Sequence, residues 1–401
     1  MTLRRNRDFV LLQAGQLLSS LGSSLSGVAY PLVVLSLTHS APKAGLVAFA
    51  RLLPSPLFGL PAGALADRVD RRAVMLAADV GRAVALAALA AVVAFHPVYW
   101  PIPLLAFAEG TGDAFFAASA PGATRAVVPA EQLPAAIGVQ HARSAAVGVA
   151  GPPAGGALYG IGRALPFLAD AISYAFSFAA LLVMRTPFQQ PRERRPLRLR
   201  AQLAEGFRFL WSQPFLRTTA FLYAVGNFTI PAYLFVLVVV GRRHGLTGGR
   251  IGVLLAVFSA FVFVGSLLSP VVRNRLSVRA IVLVELYAGL GVLAYVAWPS
   301  VYVLAAGLLP QAVVLPITDS VVIGRRIAMT PDRLLGRVEA VRTTLARTAQ
   351  PLGPLVAGLL LGAVSGRVTV AALGVLTLAL AVSGTASRAL RSPPALTEVA
   401  A

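Results

Sequence analysis

Glu109 and Asp113 lie four residues apart in a stretch that is otherwise apolar or small, PIPLLAFAEGTGDAFFAASA. On a helix they share one face, and Gly110 and Gly112 let a neighbouring segment come close to it. Two carboxylates on one face repel, and the repulsion is relieved when one of them holds a proton. The pair is therefore a candidate proton carrier. The competing reading is a structural ion pair between Asp113 and Arg71 or Arg143.

Other ionisable residues also interrupt apolar runs, where they are expensive and face a cavity or a partner. They are Arg51, Asp79, Arg82, Arg143, Asp170, Glu285, Asp319, Arg342 and Arg347. Asp79 and Arg82 stand three apart and can pair on one helix. Asp170 is expected near an outer helix end, within reach of water. Asp319 is expected near an inner end, beside Arg325 or an arginine of the eleventh span. Gln16, Ser19 and Ser23 form a polar face in the first apolar run, and Tyr223, Asn227 and Tyr233 a matching set in the second half. These are the candidates for lining a substrate cavity, where aromatic rings would suit a large, partly apolar solute. For the serines, bonding between helices is the alternative.

No other chemistry is legible. His39, His96, His141 and His244 are scattered without ligand spacing, and there is no cysteine. Thiolate sites, iron–sulfur clusters and disulfides are thereby excluded. The single lysine, Lys43, lies in THSAPKAGL, so there is no phosphate-binding loop ending in Lys-Ser or Lys-Thr. No catalytic residue, metal or cofactor is expected, the chain does not read as an enzyme, and energy for pumping would come from an ion gradient or from a partner.

The elements that carry these residues follow from composition. Hydrophobic residues make up 57% of the chain and charged residues 12%, against about a quarter charged in a soluble domain. Apolar runs such as 11–37, 45–66, 73–95 and 252–272 exceed the ~18 residues that cross a bilayer. Backbone in lipid must satisfy its own hydrogen bonds, so these runs are helices. The alternation of a β-barrel is absent. About twelve spans of ~20 residues are expected: 9–37, 44–66, 73–95, 99–119, 135–161, 165–185, 216–240, 250–271, 278–297, 300–324, 337–363 and 368–388.

The net charge of +20 is almost all arginine. The arginines cluster between alternate spans, the pattern of a membrane protein's cytoplasmic side rather than of a nucleic-acid binder. Arg68, Arg71, Arg72, Arg192, Arg194, Arg195, Arg273, Arg275, Arg325, Arg326 and Arg388 fall on that side when both termini are cytoplasmic. Arg4, Arg5 and Arg7 precede a first run longer than a signal-peptide core, which is read as a retained first helix. Trp100 and Trp298 read as interfacial anchors. The long polar stretch after the sixth span divides the chain into a six-helix bundle over 1–188, a cytoplasmic linker over 189–214 and a second bundle over 215–401. Within the linker, Leu203, Phe207 and Leu210 fall at helical spacing, predicting a short amphipathic helix from Leu199 to Trp211 on the cytoplasmic face.

An internal repeat joins the two bundles. One ungapped offset places Pro129 on Pro331, Leu133 on Leu335, Gly151 on Gly353, Pro152 on Pro354, Gly156 on Gly358 and Gly160 on Gly362. It also places Gly63 on Gly265 and Arg71 on Arg273. Span five thus corresponds to span eleven and span two to span eight. An offset of six spans keeps orientation, so the repeats are parallel, a plan in which substrate is handled near the midplane.

Two glycine-containing motifs complete the reading. GALADRVDRRAVM, from Gly63, closes span two into span three; Gly63 would allow close helix packing and Asp67 can bond helix-terminal N–H groups or arginines. It resembles the loop motif of the major facilitator superfamily, matching at Gly63, Asp67, Arg68, Arg71 and Arg72. The resemblance implies a cytoplasmic gate formed by Asp67 and Arg71. The family's second glycine is Asp70 here, and in the second half Ser269 replaces Asp67. GVAGPPAGG, from Gly148, places Gly and Pro inside span five, permitting a kink and a close approach. It resembles the span-five motif of the superfamily's antiporter branches at Gly148, Gly151, Pro152, Gly155 and Gly156. The start of the chain and the segment from Val128 are similar to the drug-exporter-3 branch, which includes macrolide and siderophore exporters. The family's arginine in span four has no evident counterpart.

The expectation is an all-α polytopic membrane protein with the major facilitator fold. It is a monomer in the cell membrane, exchanging a small amphipathic drug or metabolite for protons by alternating access. Import of a nutrient on the same fold is the alternative.

Overall fold

The computed structural model describes residues 3–188 and 199–391. The linker arginines Arg192, Arg194 and Arg195 lie outside the described residues. The chain divides into two compact units, Met1–Pro196 with Gly241–Ala256, and Leu197–Val240 with Val257–Ala401.

The first unit begins with α1 (Arg7–Thr38). Asn6 caps it by accepting the amide of Phe9 at 3.1 Å. It stops at His39, whose backbone is left-handed with φ 53°. Ser40 caps α2 (Ala41–Leu52) through the amide of Lys43, and Pro54 breaks the second apolar run, restarting it as α3 (Pro54–Arg68). There follow α4 (Arg71–Phe95), α5 (Pro101–Val127), α6 (Leu133–Ile161) and α7 (Leu165–Val183). Helix α1 packs on α6 and α7, and α5 on α2, α3 and α4. Phe9, Leu12, Met75, Phe116, Leu181 and Met184 form the core at one end. There the carboxylate of Asp8 accepts the amides of Arg185 and Thr186 at 3.1 and 2.7 Å, tying the start of α1 to the end of α7.

The second unit opens with α8 (Leu199–Ser212), which covers the expected amphipathic segment. Leu210 and Leu203 bury against the unit's core. Glu205 pairs with Arg337. A Cβ at Gly206 would meet the carbonyl of Arg337 at 2.6 Å, so the helix lies directly on its neighbour. Phe207 departs from the expected apolar face. It is exposed and stacks on Trp211 with ring centroids 5.2 Å apart. Next come α9 (Pro214–Arg243) and α10 (Gly248–Arg273), joined at Gly245 with φ 77°, a turn that favours glycine.

Ser277 caps α11 (Val278–Ala288). The helix tightens to a 3₁₀ turn over Gly289–Leu293 before α12 (Ala294–Ala297). At that turn Gly291 and Gly307 abut, so that a Cβ on either would meet the other's carbonyl oxygen at 2.5 Å. Helix α13 (Val301–Met329) contains Gly307. Helices α14 (Asp332–Ala349) and α15 (Leu352–Ala363) make up the eleventh expected span, interrupted at Pro351. The described chain ends with α16 (Gly366–Ala386) and α17 (Arg388–Arg391).

Among the described residues nine helical stretches are long and apolar enough to cross a membrane, α2–α3 and α11–α12 each counting as one. The remaining three expected spans meet the helical segments α5, α6 and α14–α15. These are less apolar because they carry residues such as Glu109, Asp113, Arg143, Glu339 and Arg342. The chain is a multi-pass membrane protein, all α among its described residues.

Candidate functional site

The first unit holds a continuous buried polar network. Glu109 on α5 is 2% exposed and pairs with Arg51 of α2: Arg51 Nε donates to Glu109 Oε2 at 2.7 Å and Nη2 to Oε1 at 3.3 Å. Gly110 makes the approach possible, because a Cβ there would collide with the carbonyl of Arg51. The Tyr174 hydroxyl of α7 reaches Glu109 Oε1 at 3.4 Å and Ser23 Oγ of α1 at 2.8 Å. Arg82 of α4 lies over the Tyr174 ring at 4.1 Å and the Phe116 ring at 4.4 Å. Arg82 pairs with buried Asp79 on its own helix and stands 3.6 Å from Asp113, whose side chain is 61% exposed. Gly112 admits the Arg82 stem, because a Cβ there would meet Arg82 Cγ at 2.5 Å.

Glu109 and Asp113 therefore share a face of α5 but are answered by different arginines, one with its carboxylate buried and one with it exposed. The Asp79–Arg82 pairing is as expected. Asp113 meets Arg82. Arg143 crosses to α1 and donates to Gln13 Oε1 at 2.9 Å and to Gln16 Oε1.

The polar face of α1 is engaged in hydrogen bonds, the alternative given for its serines. Gln16 holds Arg143. Ser19 donates to the Gln16 carbonyl at 3.3 Å. Ser23 donates to the Ser19 carbonyl at 2.9 Å and meets Tyr174. Gln16 and Ser23 thus link α1 to α6 and α7, while the Ser19 hydroxyl returns to the backbone of its own helix. Asp170 departs from expectation. It is 0% exposed rather than wet, with the Ser26 hydroxyl donating to it at 2.5 Å.

At the turn between α3 and α4, Arg71 Nη2 donates to Asp67 Oδ1 at 3.0 Å and its Nε to the Ala66 carbonyl at 3.2 Å. Asp70 replaces the family's glycine without strain. Its φ is −55°, and its carboxylate caps α4 by accepting the Arg72 amide at 3.1 Å. Arg72 donates to the Leu182 carbonyl at 2.5 Å, and Arg68 is exposed. Gly63 does not serve close packing: a Cβ there would meet nothing within 4 Å, whereas its repeat mate Gly265 abuts the Val313 carbonyl. Along α6, Gly148 is half-buried, but Gly151 lies against Ser24 and Gly155 against the backbone of Leu25, both on α1. Gly156 meets the Gly248 carbonyl, and the Pro152 carbonyl faces Gly252, within the same unit.

The second unit contains a cavity of about 340 Å³. Tyr223 and Asn227 line it. Tyr233 does not. It is 1% exposed, and its hydroxyl bonds Thr377 Oγ1 at 3.0 Å, leaving Thr377 at the wall. Glu285, Gln311 and Asp319 also face the cavity. The sequence reading did not include Glu339, which binds Arg342 at 2.7 Å and Arg326 at 2.6 Å. The readable signal was its i,i+3 spacing to Arg342.

Many apolar helices around buried ion pairs and an internal cavity are the build of a membrane transporter. A sequence profile of the Major Facilitator Superfamily matches residues 13–317, and the chain belongs to that superfamily. It is 29% identical over 400 residues to the multidrug efflux pump Tap of Mycolicibacterium fortuitum, covering 95% of this chain and 96% of that one. It is 27% identical over 183 residues to macrolide efflux protein A of Streptococcus pyogenes, 45% of each chain. Its fold matches a mutant form of the nucleoside transporter NupG with a TM-score of 0.75, at 11% identity over 95% of this chain and 100% of that one. It also matches a bacterial homologue of the lysosomal transporter Spinster, with a TM-score of 0.74 at 16% identity over 96% of this chain and 97% of that one.

Proposed function

We propose that this chain is a proton-coupled exporter of small amphipathic molecules. It acts as a monomer in the cell membrane, with both termini in the cytoplasm and two six-helix halves, 1–188 and 215–401, joined by 189–214. The carrying observation is that one buried guanidinium, Arg82, is shared between a dry carboxylate, Asp79, and a wet one, Asp113. A proton arriving from water reaches Asp113 first. Once neutral, Asp113 no longer attracts Arg82, and Arg82 is left to Asp79 and the Tyr174 face. Tyr174 bonds both Ser23 and Glu109, so the change at Asp113 is felt on α1, α5 and α7. Asp67 and Arg71 stiffen the α3–α4 turn that serves as the cytoplasmic gate. Export rather than import is supported by the relatives named as efflux proteins, Tap over nearly the whole chain.

A resistance screen across antibiotics and siderophores in expressing cells identifies a transported compound. An uncoupler is then expected to raise its accumulation to the level of non-expressing cells. Asp113→Asn is expected to do the same without the uncoupler, at unchanged membrane abundance. Full efflux by Asp113→Asn would remove the coupling role from this residue.

A further inference from the structure

We infer that the cavity of the second unit is a recognition site for an organic ammonium ion on an apolar body, with Glu285 as its counter-charge and Gln311 as its second acceptor. The inference rests on the export reading only in taking this occupant for the transported molecule. At about 340 Å³ the cavity falls within the ~300–1,000 Å³ range of small-molecule pockets. Leu222, Ile230, Leu234, Leu315 and Leu380 supply apolar wall. No lysine, arginine or histidine lines it among the described residues.

Hydroxyls and amides also line it, and two of its polar groups stand out as acceptors. Gln311 is 7% exposed, and its Oε1 has no hydrogen-bond partner. A buried acceptor left unmet is costly, and a donor in the cavity would recover that cost. Glu285 forms no ion pair among the described residues and lies within hydrogen-bonding reach of Thr318. Asp319 is different: it also borders a separate small pocket together with Arg326 and Arg342. Those arginines are themselves held by Glu339. The positive charge on that side is thus answered, and none is directed at Glu285. An anionic occupant would be repelled by Glu285. A neutral apolar one would leave Gln311 Oε1 unmet and Glu285 without a counter-charge. An ammonium ion carries the charge and the N–H donors that both require.

The internal repeat points the same way. The offset that places Pro129 on Pro331 places Glu109 on Gln311 and Arg51 on Val253. In the first unit the acceptor at this position receives a guanidinium from the chain itself. In the second half both members of that pair are replaced, the arginine by Val253 and the glutamate by Gln311, so the repeat supplies no guanidinium for Gln311.

Monodansylcadaverine, one primary ammonium on an apolar fluorescent ring system, and its N-acetyl derivative form the test pair. Binding of each to the purified full chain in lipid nanodiscs is read from dansyl fluorescence. The amine is expected to bind saturably, and the acetylated form at least tenfold more weakly. Glu285→Gln should weaken the amine about tenfold and leave the acetylated form unchanged. Gln311→Leu should weaken the amine by a smaller factor in the same selective sense, and it serves as the test if Glu285→Gln does not fold. Equal affinity for both forms, absence of saturable amine binding, or a preference that survives these substitutions would overturn the assignment. Glu285-dependent binding without export from cells would overturn the export reading and leave the cavity assignment standing.

Discussion

Replacing Arg51 by methionine is expected to destabilise the first unit by about 3–5 kcal/mol, because it leaves Glu109 as an uncompensated buried charge. Arg51 is the only described residue that forms an ion pair with Glu109, and the Tyr174 hydroxyl at 3.4 Å is a weak substitute. Breaking a buried pair is far worse than removing it, since an apolar pair of similar volume has no desolvation to offset. Arg51→Met/Glu109→Leu should therefore recover most of the loss. Thermal unfolding of the detergent-solubilised protein, read by intrinsic fluorescence, measures both. A single substitution no worse than the double would mean that Glu109 is held by something other than Arg51.

The second large effect is steric. Gly155→Val is expected to prevent accumulation of folded protein. A Cβ at Gly155 would stand 2.6 Å from the carbonyl oxygen of Leu25 and 2.7 Å from its Cα. Overpacking usually costs about 1–3 kcal/mol when side chains can yield, but here the neighbour is backbone and α6 would have to leave α1. Gly160→Val, five residues along the same helix, is the control. Nothing lies within 4 Å of its Cβ, and the residue is exposed. Membrane abundance and monodispersity after extraction should separate the two. Equal behaviour would show that helix α6 is not held by that contact.

These two cases mark what the sequence could and could not carry. The apolar runs locate the helices closely, because length and lack of charge are what a bilayer demands of a span. The Pro54 and Pro351 breaks lie inside runs that composition alone reads as continuous. The glycines of α6 were recognisable as close-approach positions, since small residues in a membrane helix exist to let backbones meet. Gly63 had the same appearance and meets nothing, because whether a glycine is used depends on which helix passes it.

Partner choice is equally illegible from spacing. Arg143 could have met Asp113, and its actual partners Gln13 and Gln16 lie 130 and 127 residues away. Asp170 looked wet because it sits near a helix end, yet Ser26 of α1 lies over it. Local chemistry fared better. Asp79 with Arg82 and Asp67 with Arg71 are pairs within one helix or turn, where sequence distance is spatial distance. Asp70 was read as a departure from a glycine. Its capping role follows from its position one residue before α4.

The central claim, export driven by protons entering through the first unit, is tested most directly in everted membrane vesicles from cells expressing the chain. The compound selected by the resistance screen is supplied outside, and an acid-inside gradient is imposed. The account predicts uptake into the vesicles that stops when nigericin with potassium collapses the pH gradient and that is absent with Asp113→Asn. Uptake that continues after the gradient is gone, at equal rates in both proteins, would contradict it.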